Sequence, residues 1–348
     1  MEIIRHSKPW ITDEDRAAVT AALESSHVGE VTLFAEFERM AAEYIGVKNG
    51  VSASTGTTAL YYALKAVSAG PGSEVILPTF VCRAVLDAVI DSGATPVFAD
   101  IGDDWCVNAE TVSKKISDKT NSIILVHTYG ISAGIDEISK LGFPVIEDFC
   151  PAFGGEIEGS KLGSLGVISI ASFYATKPLT TGEGGIALSN DESLIGAIRE
   201  LKYGGATLEQ GRKRFPLSDI QAALGISQLK RYNQFLERRK KIADYYFREL
   251  DNLPISLPHH IRDRSIFFRF PIGVPGGYEK YPEKFAALGI DIARGGVDFP
   301  LHIRCGMPHG SLPASERLFV ETLSIPIYPA MSDSEVERVA ESCKRIFT

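Results

Sequence analysis

The chain has 348 residues, of which 45% are hydrophobic and 23% charged, and its formal net charge is −8. This length fits two domains rather than one simple core, and the ordinary composition argues against a fibrous or disordered protein. The acidic balance without long basic runs argues against a nucleic-acid partner. No apolar stretch reaches the roughly 18–20 residues of a membrane span, and the polar start lacks a signal-peptide core. We therefore expect a cytoplasmic protein without a membrane partner.

Helical and strand patterns alternate over the first two thirds of the chain. Amphipathic helices are predicted over 13–24 and 32–45. A short strand, a Ser/Thr/Gly turn and a helix follow over 51–67. Five short apolar runs come next, EVILP, ATPVFADI, SIILVHTYG, PVIEDF and VISIASFY. Such runs with helices between them predict a mostly parallel sheet covered on both faces.

The last third is organised differently. A long helical pattern covers about 218–250, as one helix or two, and a final helix is predicted over 332–346. The segments 271–276 and 292–313 are rich in Pro and Gly or irregular, and they are interpreted as loops. We expect a large domain over 1–235 and a smaller α/β domain over 236–348.

The cysteines are far apart in the sequence and form no CxxC pair. This spacing indicates neither a zinc site nor a disulfide framework, so reduced thiols and no bound metal are expected. The five residues are Cys82, Cys106, Cys150, Cys305 and Cys343.

Two polar features coincide with predicted strand ends, where ligands sit in open α/β sheets. Gly56 and Thr57 open a helix, whose free N–H groups and hydroxyls would suit a phosphate. The alternative is a capped helix without a ligand. Asp148 ends the run PVIED, where a buried carboxylate needs a partner such as a cationic ring nitrogen. The alternative is an ordinary carboxylate capping a turn.

Two further features follow the run VISIAS. Lys177 comes five residues after Ser172, and a lysine inside a pocket is a usable amine nucleophile. A surface lysine is the alternative. The glycines of TGEGG, residues 181–185, allow a sharp turn beside this lysine, although any tight turn would use them too.

The order and spacing of these features carry more information than any one of them. Together with STGTTAL, GATPVFADI, HTYG, SFYATKPLTTGEGGIALSND, SDIQAALG and LSIPIYPAMSDSEVERV, they span nearly the whole chain. The sequence resembles the DegT/StrS-type sugar aminotransferases, within fold type I of the pyridoxal-phosphate enzymes. The resemblance implies an α/β fold with a large and a small domain, pyridoxal 5′-phosphate as cofactor, and a homodimer with its active site at the subunit interface.

The resemblance also implies roles for individual residues. Lys177 matches the Schiff-base lysine, and Asp148 matches the partner of the ring nitrogen, whose protonation makes the ring an electron sink. The positions implied to contact the phosphate are Gly56, Thr57, Ser172 and, from the neighbouring subunit, Arg214. A solvated basic loop is the alternative for Arg214.

Three positions depart from the family pattern. Cys82 stands where an aromatic ring usually stacks on the cofactor, so that the thiol, Phe80 or another group would take its place. Pro151 replaces a glutamine that contacts the phenolic oxygen, and Phe153 replaces a histidine. These departures make the substrate the less defined part of the site.

The resemblance implies transfer of an amino group from an amino acid, with glutamate expected, to a nucleotide-linked keto-sugar. Dehydratases of the family carry a histidine at the lysine position, so Lys177 favours transamination. The rival hypotheses are a dehydratase or lyase reaction on the same scaffold, and a non-catalytic cofactor-binding regulator. Candidate substrate contacts, each with a structural alternative, are Arg83, His127, Tyr129 and His302.

Overall fold

The computed structural model describes residues 2–204, 212–294, 297 and 299–348. Its helices are α1 Asp13–Glu24, α2 Leu33–Ile45, α3 Gly56–Ala66, α4 Arg83–Ser92, α5 Ala109–Ser113, α6 Ile135–Ser139, α7 Glu192–Tyr203, α8 Asp219–Lys230, α9 Tyr232–Leu250, α10 Pro282–Ala287, α11 Leu301–Arg304, α12 Pro313–Glu321 and α13 Asp333–Phe347. Its strands are β1 Asn49–Ala53, β2 Glu74–Pro78, β3 Thr95–Ala99, β4 Thr120–Val126, β5 Val145–Asp148, β6 Glu156–Ile157, β7 Ser160–Lys161, β8 Ile168–Ser172, β9 Gly185–Ser189, β10 Phe270–Gly273 and β11 Thr322–Ile325.

A seven-stranded sheet organises the fold, in the order β1-β9-β8-β5-β4-β2-β3. The pairs β3–β2, β2–β4, β4–β5 and β5–β8 are parallel, whereas β9 runs antiparallel to β1 and β8. The inner strands are buried almost throughout, as expected of strands covered on both faces. The predicted α/β fold with a mostly parallel sheet is confirmed. The parallel strands all deliver their carboxyl ends to one edge.

The helices begin and end close to the predicted positions. Helix α1 has the predicted bounds, and α2 begins one residue late because Thr32 is its N-cap. The long pattern over 218–250 is two helices, which meet at the non-helical Arg231. The guanidinium of Arg231 pairs with buried Asp15 and donates to the Trp10 carbonyl (3.0 Å), which holds this joint against α1. None of the described helices is long and apolar enough to cross a bilayer.

The interpretation of 271–276 and 292–313 as loops is partly wrong. Residues 270–273 form β10, which pairs antiparallel with β11, and residues 301–304 form α11. Pro271 is tolerated in β10 because this sheet has only two strands, so a strand edge needs no donor there. The Pro/Gly signal was outweighed by burial, since Phe270 and Ile272 are fully buried.

The apolar side chains form a core around the large sheet and a further cluster near the C-terminus. That further cluster is built from residues 242–347 together with Ile4. The predicted division between 235 and 236 falls inside α9, which runs from the sheet to this cluster. The division stays a prediction.

A buried carboxylate fixes the start of α2. Asp219, the first residue of α8, is fully buried and accepts hydrogen bonds from the backbone N–H groups of Val31 (3.2 Å), Thr32 (2.8 Å) and Phe34 (3.1 Å). Burial alone would raise the pKa of Asp219, but these donors outweigh it and lower the pKa. A negative charge at a helix N-terminus is also favoured by the helix dipole.

Replacing Asp219 with alanine should therefore lower the free energy of unfolding by roughly 3 kcal/mol at neutral pH, since several backbone donors lose their acceptor. The lowered pKa means that this stabilisation is present above the unfolded pKa of about 3.9 and is lost as the pH falls below it. Urea unfolding at several pH values measures both effects. Asp91→Ala, at an exposed position on α4, is the control with an expected change within about 0.5 kcal/mol. Equal losses in the two variants would contradict the assignment.

Candidate active site

A cavity of about 430 Å³ lies at the edge where the parallel strands end. Its wall is formed by the ends of β4, β5 and β8, the start of α3 and residues from the C-terminal third of the chain. Seven of the eleven predicted site residues line it: Gly56, Thr57, Cys82, Tyr129, Asp148, Ser172 and Lys177. The topology thus brings together positions that are up to 121 residues apart, from Gly56 to Lys177.

The first turn of α3 forms an anion cradle with the end of β8. Thr55 caps the helix, because its hydroxyl accepts the N–H of Thr58 (3.0 Å), whereas the N–H groups of Gly56 and Thr57 have no acceptor within the helix. A Cβ on Gly56 would lie 2.5 Å from the Cβ of Ser172, so only glycine permits this approach. The Ser172 hydroxyl therefore lies beside free helix N–H groups, an arrangement that suits phosphate.

Asp148 presents a carboxylate at the end of β5. The residue is 4% exposed, and its Oδ1 accepts the N–H of Cys150 (3.0 Å). Burial raises the pKa of Asp148, and the positive charge of Lys177 opposes this shift. A buried carboxylate of this kind favours a cationic partner inside the cavity, such as a protonated ring nitrogen.

Lys177 follows β8 after a tight turn, in which its N–H donates to the Tyr174 carbonyl (2.9 Å). Its Nζ lies 5.2 Å from the centre of the Phe268 ring and forms no salt bridge with a described carboxylate. The turn that follows is held by Thr180, whose hydroxyl donates to the Phe173 carbonyl (3.1 Å) and accepts the N–H of Gly182 (2.9 Å). The amine is therefore held beside an aromatic ring and is free to react.

Two predicted substrate contacts are buried and hydrogen-bonded outside the cavity lining. His127 contacts Glu147 through Nε2 (3.0 Å) and accepts the N–H of Ala133 through Nδ1 (3.0 Å). His302 contacts Thr79 through Nδ1 (2.7 Å) and Glu316 through Nε2 (3.1 Å). In this chain both imidazoles have their polar atoms occupied, in line with the structural alternative for each.

The two predicted arginines also lie outside the cavity lining. Arg83 is exposed at the start of α4 and pairs with Asp87 (3.1 Å). The half-exposed Arg214 pairs with the buried Glu30 (3.5 Å). Neither contacts the cavity of its own chain. No group of three or more His, Cys, Asp or Glu in the described part of the chain is placed to hold a metal ion.

Two of the three positions that depart from the family pattern, Cys82 and Pro151, form an apolar cavity wall together with Phe80. Phe80, Cys82 and Pro151 all line the cavity, and the Phe80 ring packs edge-on against Tyr129 (6.0 Å between centres). Phe153 is buried away from it and stacks on Phe149 (5.6 Å). The cavity therefore has a thiol where the family pattern has an aromatic ring, a proline where it has an amide, and Phe80 in the same lining.

Sequence reasoning missed Phe268 and Arg269, which line the cavity from the C-terminal third of the chain. Both precede β10 in the apolar run IFFRFPI, residues 266–272. A single arginine inside such a run was the signal that could have indicated them, because an unexplained buried charge marks a functional site more often than a core.

Known proteins with similar sequences and structures were then compared. The model of the "DegT/DnrJ/EryC1/StrS aminotransferase family" matches residues 9–344. GDP-perosamine synthase of Caulobacter vibrioides is 30% identical (97% of this chain, 96% of that protein), and the spore coat polysaccharide biosynthesis protein SpsC of Bacillus subtilis is 32% identical (98% and 96%). The crystal structure of the aminotransferase TlmJ from Streptoalloteichus hindustanus superimposes with a TM-score of 0.92 at 27% identity, over 99% of this chain and 98% of that one.

The anion cradle can be tested with a single methyl group. Gly56→Ala should weaken binding of pyridoxal phosphate by about tenfold or more, because the added Cβ forces α3 away from Ser172 and separates the phosphate donors. Absorbance titration of the cofactor-free protein measures the dissociation constant. Gly196→Ala, on α7 with open space around its Cβ, is the matched control and should leave cofactor affinity unchanged. Unchanged affinity in both variants would exclude this site for the phosphate.

Proposed function

Since the chain belongs to the DegT/DnrJ/EryC1/StrS aminotransferase family, which uses pyridoxal phosphate, we propose that it is a sugar aminotransferase. It would move an amino group from glutamate to a nucleotide-linked keto-sugar. The observation that carries the proposal is the presence of Lys177 and Asp148 in one cavity, beside the anion cradle at Gly56 and Ser172. The sugar substrate is supported by relatives named as GDP-perosamine synthases.

The cavity residues fit the cofactor, each through one of its polar groups. The N–H groups of Gly56 and Thr57 and the Ser172 hydroxyl would hold the phosphate. Asp148 would pair with the ring nitrogen, and Lys177 would form the covalent link to the aldehyde carbon. When bound, the cofactor supplies an electron sink for the carbon that loses its proton.

The residues of this chain then have distinct tasks. Lys177 Nζ takes the proton from the α-carbon of the amino donor, and in the second half-reaction it delivers a proton to the acceptor carbon that becomes aminated. Asp148 keeps its positive partner protonated throughout. The Phe268 ring, with its centre 5.2 Å from Nζ, packs beside the amine.

The retained Lys177 supports transamination over the dehydratase alternative, in which the family carries a histidine. It also argues against a non-catalytic regulator, because a protein without turnover has no need for both Lys177 and a buried Asp148. Burial of the Asp148 carboxylate costs stability, and the Cys150 N–H and the charge of Lys177 offset this cost only in part until a cation binds.

We also propose a homodimer in which the segment 212–219 completes the partner's site. Large apolar side chains are exposed beside or within this segment, with Val31 at 50% and Phe215 at 43%. The segment contacts the end of β1 in its own chain, where the Phe215 carbonyl accepts the N–H of Ser54 (2.9 Å). Apolar exposure of this kind is typical of a protein interface. Arg214 would then reach a phosphate across the interface.

Borohydride treatment should attach the cofactor permanently to Lys177, since it reduces the carbon–nitrogen link between them. Peptide mass spectrometry should find the added mass on the peptide that contains Lys177. Lys177→Arg should abolish the label and lower turnover by roughly 10²- to 10⁴-fold. Lys114→Arg is the control, because Lys114 is an exposed lysine directly after α5, and it should change neither the label nor turnover. Label on any other lysine would refute the assignment.

The two half-reactions can be observed separately. Glutamate should convert the absorbance of the pyridoxal form to that of the pyridoxamine form, and a nucleoside-diphosphate keto-sugar should reverse the change. The product should contain one amino group, as read by mass spectrometry. If glutamate produces the pyridoxamine form but no keto-sugar restores the pyridoxal form, the protein is an aminotransferase with another acceptor, and the proposed sugar substrate is wrong. No conversion by any amino acid would count against transamination.

A further inference from the structure

A buried arginine in the cavity wall has no counter-ion among the described residues. Arg269 is 7% exposed and lines the same cavity as Lys177. Its Nε and Nη1 atoms are enclosed and have no hydrogen-bond partner among the residues that the structure describes. No described carboxylate forms a salt bridge with it. A guanidinium has five N–H donors, so its donors are largely unused in this cavity.

Such an arrangement is unfavourable unless a ligand completes it. Burial, together with the positive charge of Arg239, lowers the pKa of Arg269 to about 9. Arg239, in the same region, also has an enclosed Nε without a described partner, but its Nη1 donates to the carbonyls of Phe267 (3.0 Å) and Ile327 (3.0 Å). No described residue accepts a hydrogen bond from Arg269 in this way. A buried cation without a partner costs stability, and an anion that enters the cavity would recover it.

The position of Arg269 links it to the reacting amine. Its guanidinium carbon lies 4.2 Å from the centre of the Phe268 ring, and Lys177 Nζ lies 5.2 Å from the same centre. Both residues also line the same cavity, so one small molecule inside it can meet both cations. Tyr129 lines this cavity too, and its hydroxyl is enclosed without a hydrogen-bond partner among the described residues.

We infer that Arg269, with the Tyr129 hydroxyl, binds a carboxylate of the amino donor and so positions its amine at Lys177. The inference rests on the proposed function. The cofactor phosphate has other donors, on α3 and β8, so the anion left for Arg269 belongs to a second ligand. An amino acid is the reactant that always carries a carboxylate. A planar guanidinium matches a carboxylate with two parallel hydrogen bonds.

The test uses the cofactor-loaded protein and maleate, an unreactive dicarboxylate, with calorimetry as the readout. Arg269→Gln should weaken maleate binding by about 10- to 100-fold. The maleate affinity of Arg269→Lys should lie between those of Arg269→Gln and the wild type. An ammonium keeps the positive charge but cannot donate two parallel hydrogen bonds to one carboxylate. Arg262→Gln is the control, since Arg262 is partly exposed and pairs with Asp244 (3.0 Å). It should bind maleate like the wild type.

A stability measurement separates a ligand-binding arginine from a structural one. Arg269→Met should raise the melting temperature of the ligand-free protein, because it removes a buried charge and keeps the contact with Phe268. A structural arginine, or one already paired within the protein, would lower the melting temperature when removed. Maleate should raise the melting temperature of the wild type more than that of Arg269→Met.

Steady-state kinetics assign the carboxylate to the donor. In Arg269→Gln the KM for glutamate should rise by about 10- to 100-fold while the KM for the acceptor stays unchanged. A rise for the acceptor alone would overturn the donor assignment. Unchanged maleate binding in Arg269→Gln, or no binding by the wild type, would overturn the inference. A wild type that binds maleate through Arg269 but aminates no keto-sugar would instead refute only the proposed sugar substrate.

Discussion

The close contact between the first turn of α3 and the end of β8 is the constraint on which the site depends. It exists because position 56 carries no side chain, so that the helix start can lie against Ser172. The same contact sets the distance from the helix N–H groups to the turn that presents Lys177. Parallel strands then add Asp148 one strand further along. Backbone packing thus positions the Asp148 carboxylate, the Lys177 amine and the helix N–H groups. Rigid backbone elements lose less conformational entropy in holding such a site than long flexible side chains would.

The fold could be predicted well from the sequence where the signal was periodic and local. The buried strands and the helices α1, α2 and α13 follow from apolar spacing and from capping residues such as Thr12 and Ser332. The strand β10 was missed because Pro271 usually indicates a loop, and only pairing with the distant β11 explains it. Periodicity describes neighbours along the chain and contains no information on partners some 50 residues away.

The site was predictable to the extent that a resemblance placed its residues, and less so where partners decide their roles. Nothing local to His127 reveals that Glu147 and the N–H of Ala133 occupy its two nitrogens. Arg269 differs from His127, because its role is inferred from the lack of hydrogen-bond acceptors among the described residues around it. That no described carboxylate pairs with Arg269 can be seen only in the folded chain. With Phe80, Cys82 and Pro151 making the wall apolar, the charges in the cavity interact more strongly than they would in water.

The position of the cavity wall depends on Arg231, a residue that does not line the cavity. Helix α9 starts there, and eight residues later Arg239 holds the carbonyls of Phe267 and Phe268. That arm is about 12 Å long, so a tilt of about 10° at the joint would shift its far end by about 2 Å. Displacements of this size are large for a reacting pair of atoms. The ion pair between Arg231 and Asp15 therefore fixes the direction of α9. Through this ion pair, the N-terminal helix α1 contributes to the position of the Phe268 ring beside the Lys177 amine.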